Sequence, residues 1–229
     1  MSTDTSDLTR NALLRSALSV LLMAVLLFAP AGTLVYWQAW LYGFVFIAGA
    51  AAPSVYFLKH DPELIRRRMK AGPRAETEPA QKIIMVLVFG GFLLLMIVPG
   101  LDHRWHWSDV PTWAALASNG LVAVSFVVFF VVMRQNSYAA STITVEPGQP
   151  VVSTGVYGIV RHPMYLGALL LLFFVPPALG SYWGMLVGVA MLPALMWRLL
   201  DEEKVLSRDL PGYTDYCRKT RYRLIPFLW

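Results

Sequence analysis

The distribution of charge constrains the fold of this chain more than any other feature, because four long stretches contain no Asp, Glu, Lys or Arg. A helix that crosses the hydrocarbon core of a bilayer needs about 20 mainly apolar residues. Two of the stretches are long enough for one such helix each, and the other two are long enough for two. The four stretches are residues 16–58, 83–101, 110–133 and 162–197. We therefore expect an all-α fold, a polytopic bundle of transmembrane helices.

Turn-forming residues divide the two longer stretches, the first at Pro30-Ala31-Gly32 and the last near Pro176-Pro177. The result is six hydrophobic segments at roughly 12–30, 37–58, 83–101, 112–133, 163–179 and 182–199. The final two segments are short, and they fit either two tilted spans or a helical hairpin that crosses the membrane only in part. Only 14% of the residues are charged, against about 25% in soluble domains, which excludes an ordinary soluble domain.

Basic residues indicate the orientation of the spans. With six spans and both termini on one side, 18 of the 19 Lys and Arg residues lie on that side, and Arg104 lies on the other. Basic residues concentrate in cytoplasmic loops, so we expect an integral multi-pass membrane protein with both termini in the cytoplasm. Topology and contact with anionic membrane lipids then explain the net charge of +5, and we expect no nucleic-acid partner. The Ala- and Arg-rich composition favours a bacterial inner membrane.

Two of the predicted loops carry residues with a recognisable pattern. The segment that starts at His60 predicts a short amphipathic helix on the cytoplasmic leaflet, with Asp61 as its N-cap and Pro62 in its first turn. In the predicted outer loop, His103 and His106 stand beside tryptophans, which is typical of the aromatic belt at a bilayer interface. No cluster of His, Cys or acidic residues in the sequence offers further ligands, so we predict no metal site.

A series of polar motifs occupies the predicted cytoplasmic side of the last two spans. In order along the chain, these motifs are Gly155-x-Tyr157, Arg161-His162-Pro163-x-Tyr165, Arg198-x-x-x-Glu202-Glu203, Tyr213 and Tyr216. Pro163 fits the first turn of the fifth span, which puts His162 where free helix amides attract anions. Arg198 and Glu202 are four residues apart and share a helix face. These charges indicate either an ion pair that ends the span or a binding site at the apolar boundary.

This combination of motifs resembles the isoprenylcysteine carboxyl methyltransferase family, whose members are integral membrane methyltransferases that use S-adenosylmethionine. The resemblance covers about residues 134–229, and residues 1–133 match only as hydrophobic spans. It implies a single membrane methyltransferase domain over residues 1–229, with helices 1–4 in 1–133 and a cofactor-binding region in 134–229. At Gln149 and Thr142 the chain departs from the members that act on eukaryotic prenylated proteins, which have His and Gln there.

The resemblance also implies roles for individual residues. Arg198 corresponds to the family's substrate-side arginine and is the expected catalytic residue, while Glu202 corresponds to its acidic cofactor ligand. The residues expected to bind S-adenosylmethionine, and S-adenosylhomocysteine as its product, are Gln149, Pro150, Val151, Val152, Tyr157, His162, Pro163, Met164, Tyr165 and Glu202. The expected methyl acceptor is lipophilic: an isoprenylcysteine-type carboxylate, another lipid or a small thiol.

Two other classes of protein remain open on the sequence. Membrane sterol and enone reductases that use NADPH have a similar Arg-His-Pro-x-Tyr motif, but they usually place an acidic residue after the glycine that follows it. Here Gly167 is followed by Ala168, and the sequence has no glycine-rich dinucleotide turn after a strand. A transporter or membrane scaffold is expected to have polar or broken helices near the midplane. In this chain the polar groups instead collect at one face of the bundle.

Overall fold

A computed structural model describes residues 2–76 and 78–229 of the chain, with side chains described from residue 7 onward. Within these residues the chain folds into eight α-helices and one short 3₁₀ helix, with no strand, which confirms the predicted all-α fold. The α-helices are α1 (Ser2–Ala31), α2 (Trp37–His60), α3 (Pro62–Met69), α4 (Pro79–Trp105), α5 (Thr112–Gln135), α6 (Pro163–Ala178), α7 (Trp183–Asp209) and α8 (Tyr213–Lys219), and the 3₁₀ helix is Gly155–Gly158.

All six predicted hydrophobic segments are helical, and five of the helices are long and apolar enough to cross a membrane. These five are α1 from Asp7 onward, α2, α4, α5 and α7. Helix α6 has 16 residues and is about 24 Å long, which is shorter than the hydrocarbon core of about 30 Å. Helix α7 is longer than the predicted hydrophobic segment that ends at about residue 199, because the helix continues through the charged residues to Asp209. Charged residues end the apolar stretch there without breaking the helix, and the next proline is Pro211.

The helices form a bundle with one compact end and one loop-rich end. In the bundle, α4 packs against α1 and α7, while α6 packs against α5 and α7. Short connections meet at the compact end, where the Tyr36 hydroxyl donates to the carbonyl oxygen of Leu179 at 2.5 Å. Residues 61–76, 78, 136–162 and 210–229 form what we call the loop-rich end. The basic residues that the sequence predicted to share one side of the membrane lie at or near this loop-rich end.

Helix α3 links the bundle to the loop-rich end. Its predicted N-cap is confirmed, since Asp61 Oδ1 accepts a hydrogen bond from the Leu64 amide at 3.1 Å. Leu64 is fully buried, whereas Arg67 reaches outward and makes two hydrogen bonds to the Glu146 carboxylate at 2.8 and 2.9 Å. The hydrogen bond from Arg67 lowers the pKa of Glu146. Arg67 and Arg68 of α3 therefore bind the segment 137–146, a contact that the amphipathic pattern did not predict.

Close packing between α6 and α7 depends on a glycine. A Cβ atom placed on Gly188 of α7 would lie only 2.5 Å from the carbonyl oxygen of Leu172 in α6. At Gly90 of α4, by contrast, no described atom outside its own helix lies within 4 Å of the corresponding position. Small residues at helix crossings let membrane helices approach closely. Gly188 therefore sets the distance between the two helices that carry most of the sequence motifs.

We expect Gly188→Ala to destabilise the protein by about 2 kcal/mol, which corresponds to a melting temperature lower by about 4 to 8 °C. The reason is that the backbone of α6 cannot move away from the new methyl group without separating the two helices. The matched control is Gly90→Ala, which should be neutral or stabilise by up to about 1 kcal/mol, because alanine favours helix over glycine. Thermal unfolding of both variants in one detergent measures the difference, and equal melting temperatures would contradict the close approach at Gly188.

Candidate functional site

A cavity of about 360 Å³ lies among α4, α5, α6, α7 and the loop-rich end. Every residue that the sequence predicted for catalysis or cofactor binding lines this cavity. These residues are Gln149, Pro150, Val151, Val152, Tyr157, His162, Pro163, Met164, Tyr165, Arg198 and Glu202. The tertiary structure therefore brings together residues from a loop, the 3₁₀ helix, α6 and α7 that lie far apart in the sequence.

The cavity has a polar half and an apolar half. Its lining runs from Pro163 to Leu172 along α6 and from Leu206 to Met191 along α7, so it extends roughly 14 to 22 Å from the loop-rich end into the bundle. The apolar half is lined by Met85, Val88, Phe92, Phe129, Ala168, Leu172, Met191 and Leu195. Phe92 of α4 is 42% exposed, so this apolar lining residue is only partly covered by the rest of the described chain.

The start of α6 is held in place by residues 222–229. Pro163 occupies the first turn of the helix, where its missing N–H leaves no hydrogen bond unmade. Just before it, the amides of Arg161 and His162 donate to the carbonyl oxygens of Tyr222 and Arg223, both at 2.9 Å. These two backbone contacts fix the Arg-His-Pro motif at the wall of the cavity.

The carboxylate of Glu203 in α7 joins three side chains beneath this wall. Its Oε1 lies 3.0 Å from Nη1 of Arg161 and 3.2 Å from Nε2 of His162, and its Oε2 accepts from Nε of Arg223 at 2.8 Å. Glu203 is buried, and these partners offset the cost of removing its charge from water. Glu203 belongs to the Arg198-x-x-x-Glu202-Glu203 motif, but no role was predicted for it. Its position directly after Glu202 in α7 is the sequence feature that could have indicated a role.

Arg198 is held by partners outside its own helix. Its Nη1 donates to Gln81 Oε1 at 2.7 Å, and its Nη2 donates to Glu76 Oε1 at 3.0 Å and to the carbonyl oxygen of Ser141 at 2.9 Å. The ion pair of Arg198 is therefore with Glu76, whose side chain is fully buried, although helix spacing also allowed a pair with Glu202. Sequence reasoning missed Glu76, because an acidic residue in a loop belongs to no periodic pattern.

Glu202, unlike its neighbour in the chain, lines the cavity. Its Oε2 accepts a hydrogen bond from the Tyr165 hydroxyl at 2.6 Å. Across the cavity wall, the Tyr157 hydroxyl accepts from Nδ2 of Asn136 at 3.1 Å, and burial raises the pKa of Tyr157 to about 12. Tyr157 therefore stays protonated at neutral pH. The site thus offers a ligand both a carboxylate acceptor and a phenol donor.

Gly155 shapes the loop that presents Tyr157. Its φ of +59° is in the left-handed region that favours glycine, and a Cβ atom there would lie 2.5 Å from Gln135 Oε1. The same Gln135 oxygen accepts from the Val156 amide at 3.0 Å. The Gly-x-Tyr spacing is therefore explained: the glycine lets the loop approach the end of α5, and the tyrosine two residues later reaches the cavity.

Two buried polar atoms of the cavity-lining residues have no hydrogen-bond partner within the described parts of the chain. They are Nε of Arg161 and the hydroxyl oxygen of Tyr213. The hydroxyl of Tyr216, which also lines the cavity, instead donates to the carbonyl oxygen of Tyr157 at 2.7 Å. Buried polar groups in native proteins nearly always have a partner. Arg161 Nε and the Tyr213 hydroxyl therefore lack the partner that buried polar groups usually have.

Residues 113–210 match the model of the phospholipid methyltransferase family, which includes the isoprenylcysteine carboxyl methyltransferases. The match runs from the start of α5 to the end of α7, and it contains all of the predicted site residues. It confirms the resemblance inferred from the sequence motifs.

A segment of 93 residues is also 32% identical to the delta(14)-sterol reductase of Mus musculus, and it covers 38% of this chain and 22% of the reductase. This chain therefore spans about a fifth of the length of that relative. The similarity is to one part of a longer protein.

Proposed function

We propose that this chain is an S-adenosylmethionine-dependent methyltransferase that modifies a lipophilic acceptor at the cytoplasmic face of the membrane. The observation that carries the proposal is the two-part cavity, whose polar half lies at the loop-rich end and whose apolar half includes the partly exposed Phe92 of α4. A polar cofactor and an apolar acceptor can meet in such a cavity while each stays in contact with its own solvent. The family match over residues 113–210 supports the same reaction class.

The lining residues fit S-adenosylmethionine in size and chemistry. A volume of about 360 Å³ is within the range of about 300 to 1,000 Å³ that is typical of small-molecule and cofactor sites. Glu202, which lines the cavity, offers a carboxylate to the hydroxyl or amino groups of a ligand. When bound, the cofactor supplies a methyl group carried on a positively charged sulfur.

The chain's own residues would orient the acceptor and exclude water. Arg198 offers a cation whose position is set by Glu76 and Gln81, and a fixed cation can hold an anionic or polar acceptor group without reorganising. Methyl transfer needs the two reacting atoms about 3 Å apart and aligned, so a rigid Arg198 favours it. The apolar half would hold the hydrocarbon part of the acceptor, and the absence of bulk water there strengthens the interactions of charged groups.

The first test is calorimetric titration of the purified protein with S-adenosylhomocysteine. We expect binding by the wild type and at least about tenfold weaker binding by Glu202→Ala, because hydrogen bonds to a charged group contribute about 1.5 to 3 kcal/mol. Lys204→Ala is the matched control, since Lys204 is exposed on the same helix and does not line the cavity. Absence of binding by the wild type, or equal affinities of wild type and Glu202→Ala, would contradict the proposed site.

The acceptor class is the finer part of the proposal. Three acceptor classes are compatible with the proposal: an isoprenylcysteine-type carboxylate, another lipid and a small thiol. In each of them a nucleophilic group is attached to an apolar or small remainder that we expect the cavity to hold. Transfer of a radiolabelled methyl group into membrane extracts, followed by extraction and identification of the product, distinguishes them. Label that appears only in soluble, charged products would contradict a lipophilic acceptor.

The similarity to the mouse sterol reductase supports a second candidate function, an NADPH-dependent reduction of a sterol or enone. The two functions require different ligands in the same cavity. Thermal unfolding with S-adenosylhomocysteine and with NADPH discriminates between them, because a ligand that binds the folded state raises the melting temperature. Stabilisation by NADPH alone would favour the reductase and contradict the methyltransferase.

A further inference from the structure

We propose that Arg161 and Tyr213 form a subsite for the carboxylate of the cofactor's amino-acid part. This inference rests on the proposed function, because it requires a ligand with a carboxylate in the cavity. It depends on a juxtaposition that the sequence does not reveal: one donor comes from the motif before α6, the other from the start of α8, and both residues line the same cavity. Both donors are buried, and neither has a protein partner in the part of the chain that the structure describes.

The guanidinium of Arg161 is held through its two terminal nitrogens, and its Nε lacks a partner among the described residues. Its side chain is only 10% exposed, Nη1 lies 3.0 Å from Glu203, and Nη2 donates to the carbonyl oxygen of Arg221 at 3.5 Å. The Glu203 carboxylate is shared with Arg223, so two arginines face this acid. A planar guanidinium with free N–H groups prefers carboxylates and phosphates as acceptors. An anionic group of a ligand is therefore the expected partner of Arg161.

The hydroxyl of Tyr213 adds a neutral donor to this charged one. The side chain is 4% exposed, and its ring is fixed by packing against Val145, Val151 and Leu210. Burial raises the pKa of Tyr213, so the hydroxyl keeps its proton at neutral pH. A buried hydroxyl without a partner destabilises the folded chain. A hydrogen bond to a bound carboxylate would remove that cost and would add to binding.

The structure predicts opposite effects of one substitution on stability and on binding. In Tyr213→Phe, the ligand-free protein should unfold at the same temperature as wild type or higher, because an unpaired hydroxyl is removed. Its affinity for S-adenosylhomocysteine should be about tenfold lower, because a hydrogen bond to a charged group is lost. Tyr216→Phe provides the contrast, since its hydroxyl is bonded to Tyr157 and its loss should lower the melting temperature.

The experiment compares two ligands by calorimetric titration. One is S-adenosylhomocysteine, and the other is 5′-(3-aminopropylthio)-5′-deoxyadenosine, which keeps the nucleoside, the sulfur and the amine but lacks the carboxylate. We expect Tyr213→Phe and Arg161→Lys to weaken the first ligand and to leave the affinity for the second unchanged. Tyr182→Phe, at the exposed compact end, is the control that should change neither.

Each outcome separates the subsite from the wider proposal. If wild type binds S-adenosylhomocysteine but Tyr213→Phe binds it equally well, the subsite is wrong and the proposed function stands. Equal weakening of both ligands also overturns the subsite, because the hydroxyl then acts on the nucleoside or through the fold. If wild type binds neither ligand, the proposed function fails and the subsite fails with it.

Discussion

Arg198→Met is expected to lower methyl transfer by about 10²- to 10³-fold and to lower the melting temperature by about 6 to 12 °C. Activity is expected to fall because the substitution removes the cation that we propose to orient the acceptor. Stability falls because the fully buried carboxylate of Glu76 loses its counter-ion. Radiolabelled methyl transfer and thermal unfolding in detergent measure the two effects, and the affinity for S-adenosylhomocysteine should change by less than about threefold.

A double variant separates the two effects of this substitution. Glu76→Gln combined with Arg198→Met removes both buried charges, and glutamine keeps an oxygen for the Ile143 amide, which donates to Glu76 at 3.1 Å. Replacing a buried ion pair by uncharged residues is often nearly neutral, so most of the melting temperature should return. Turnover should stay low. Recovery of turnover together with stability would contradict a role for Arg198 toward the acceptor and would make it a structural residue.

Glu203→Ala is expected to destabilise the protein by about 3 kcal/mol, or about 6 to 12 °C in melting temperature. The substitution leaves Arg161 and His162 buried without their shared acceptor, while Arg223, which is a third exposed, can turn to solvent. This partial exposure puts the expected effect at the lower end for a broken buried pair. Affinity for S-adenosylhomocysteine should fall as well, because the motif that lines the cavity loses its anchor.

The adjacent carboxylate is the matched control for this prediction. Glu202 contacts the Tyr165 hydroxyl in the cavity and none of the three basic side chains that Glu203 joins. Glu202→Ala should therefore weaken ligand binding with a much smaller loss of stability. The opposite pattern, in which the change at Glu203 leaves the melting temperature unaltered, would contradict the Glu203 network.

The spans were predictable because a bilayer imposes a local requirement of about 20 mainly apolar residues, and an uncharged stretch shows directly whether it is met. The same argument failed at the end of α7. Asp201 and the residues that follow end the apolar stretch at about the predicted position, yet the helix continues to Asp209 because water-exposed helix tolerates charge. Length and polarity indicate where a span ends and leave open where its helix ends.

The motif residues were predictable as a group but their partners were not. The residues predicted for catalysis and cofactor binding all line one cavity, because the motifs lie near the start of α6 and the end of α7. Glu76 and Gln81 reach Arg198 from a loop and a helix more than a hundred residues earlier in the chain, and Tyr213 approaches from α8. Contacts between side chains so far apart in sequence depend on how the helices pack. The spacing of residues along the chain therefore does not predict them.

The sequence by itself determined the class of fold, the number of hydrophobic helices and the residues that gather at one side, since burial in lipid and helix periodicity act on neighbouring residues. Only the tertiary structure decided which charge neutralises which. In the folded chain Arg198 pairs with Glu76, and Glu203 contacts three basic side chains. The hydroxyl of Tyr213 and Nε of Arg161 have no hydrogen-bond partner among the described residues. The physical reason is that an ion pair or an unpaired donor is defined by distances of about 3 Å in space, which packing sets.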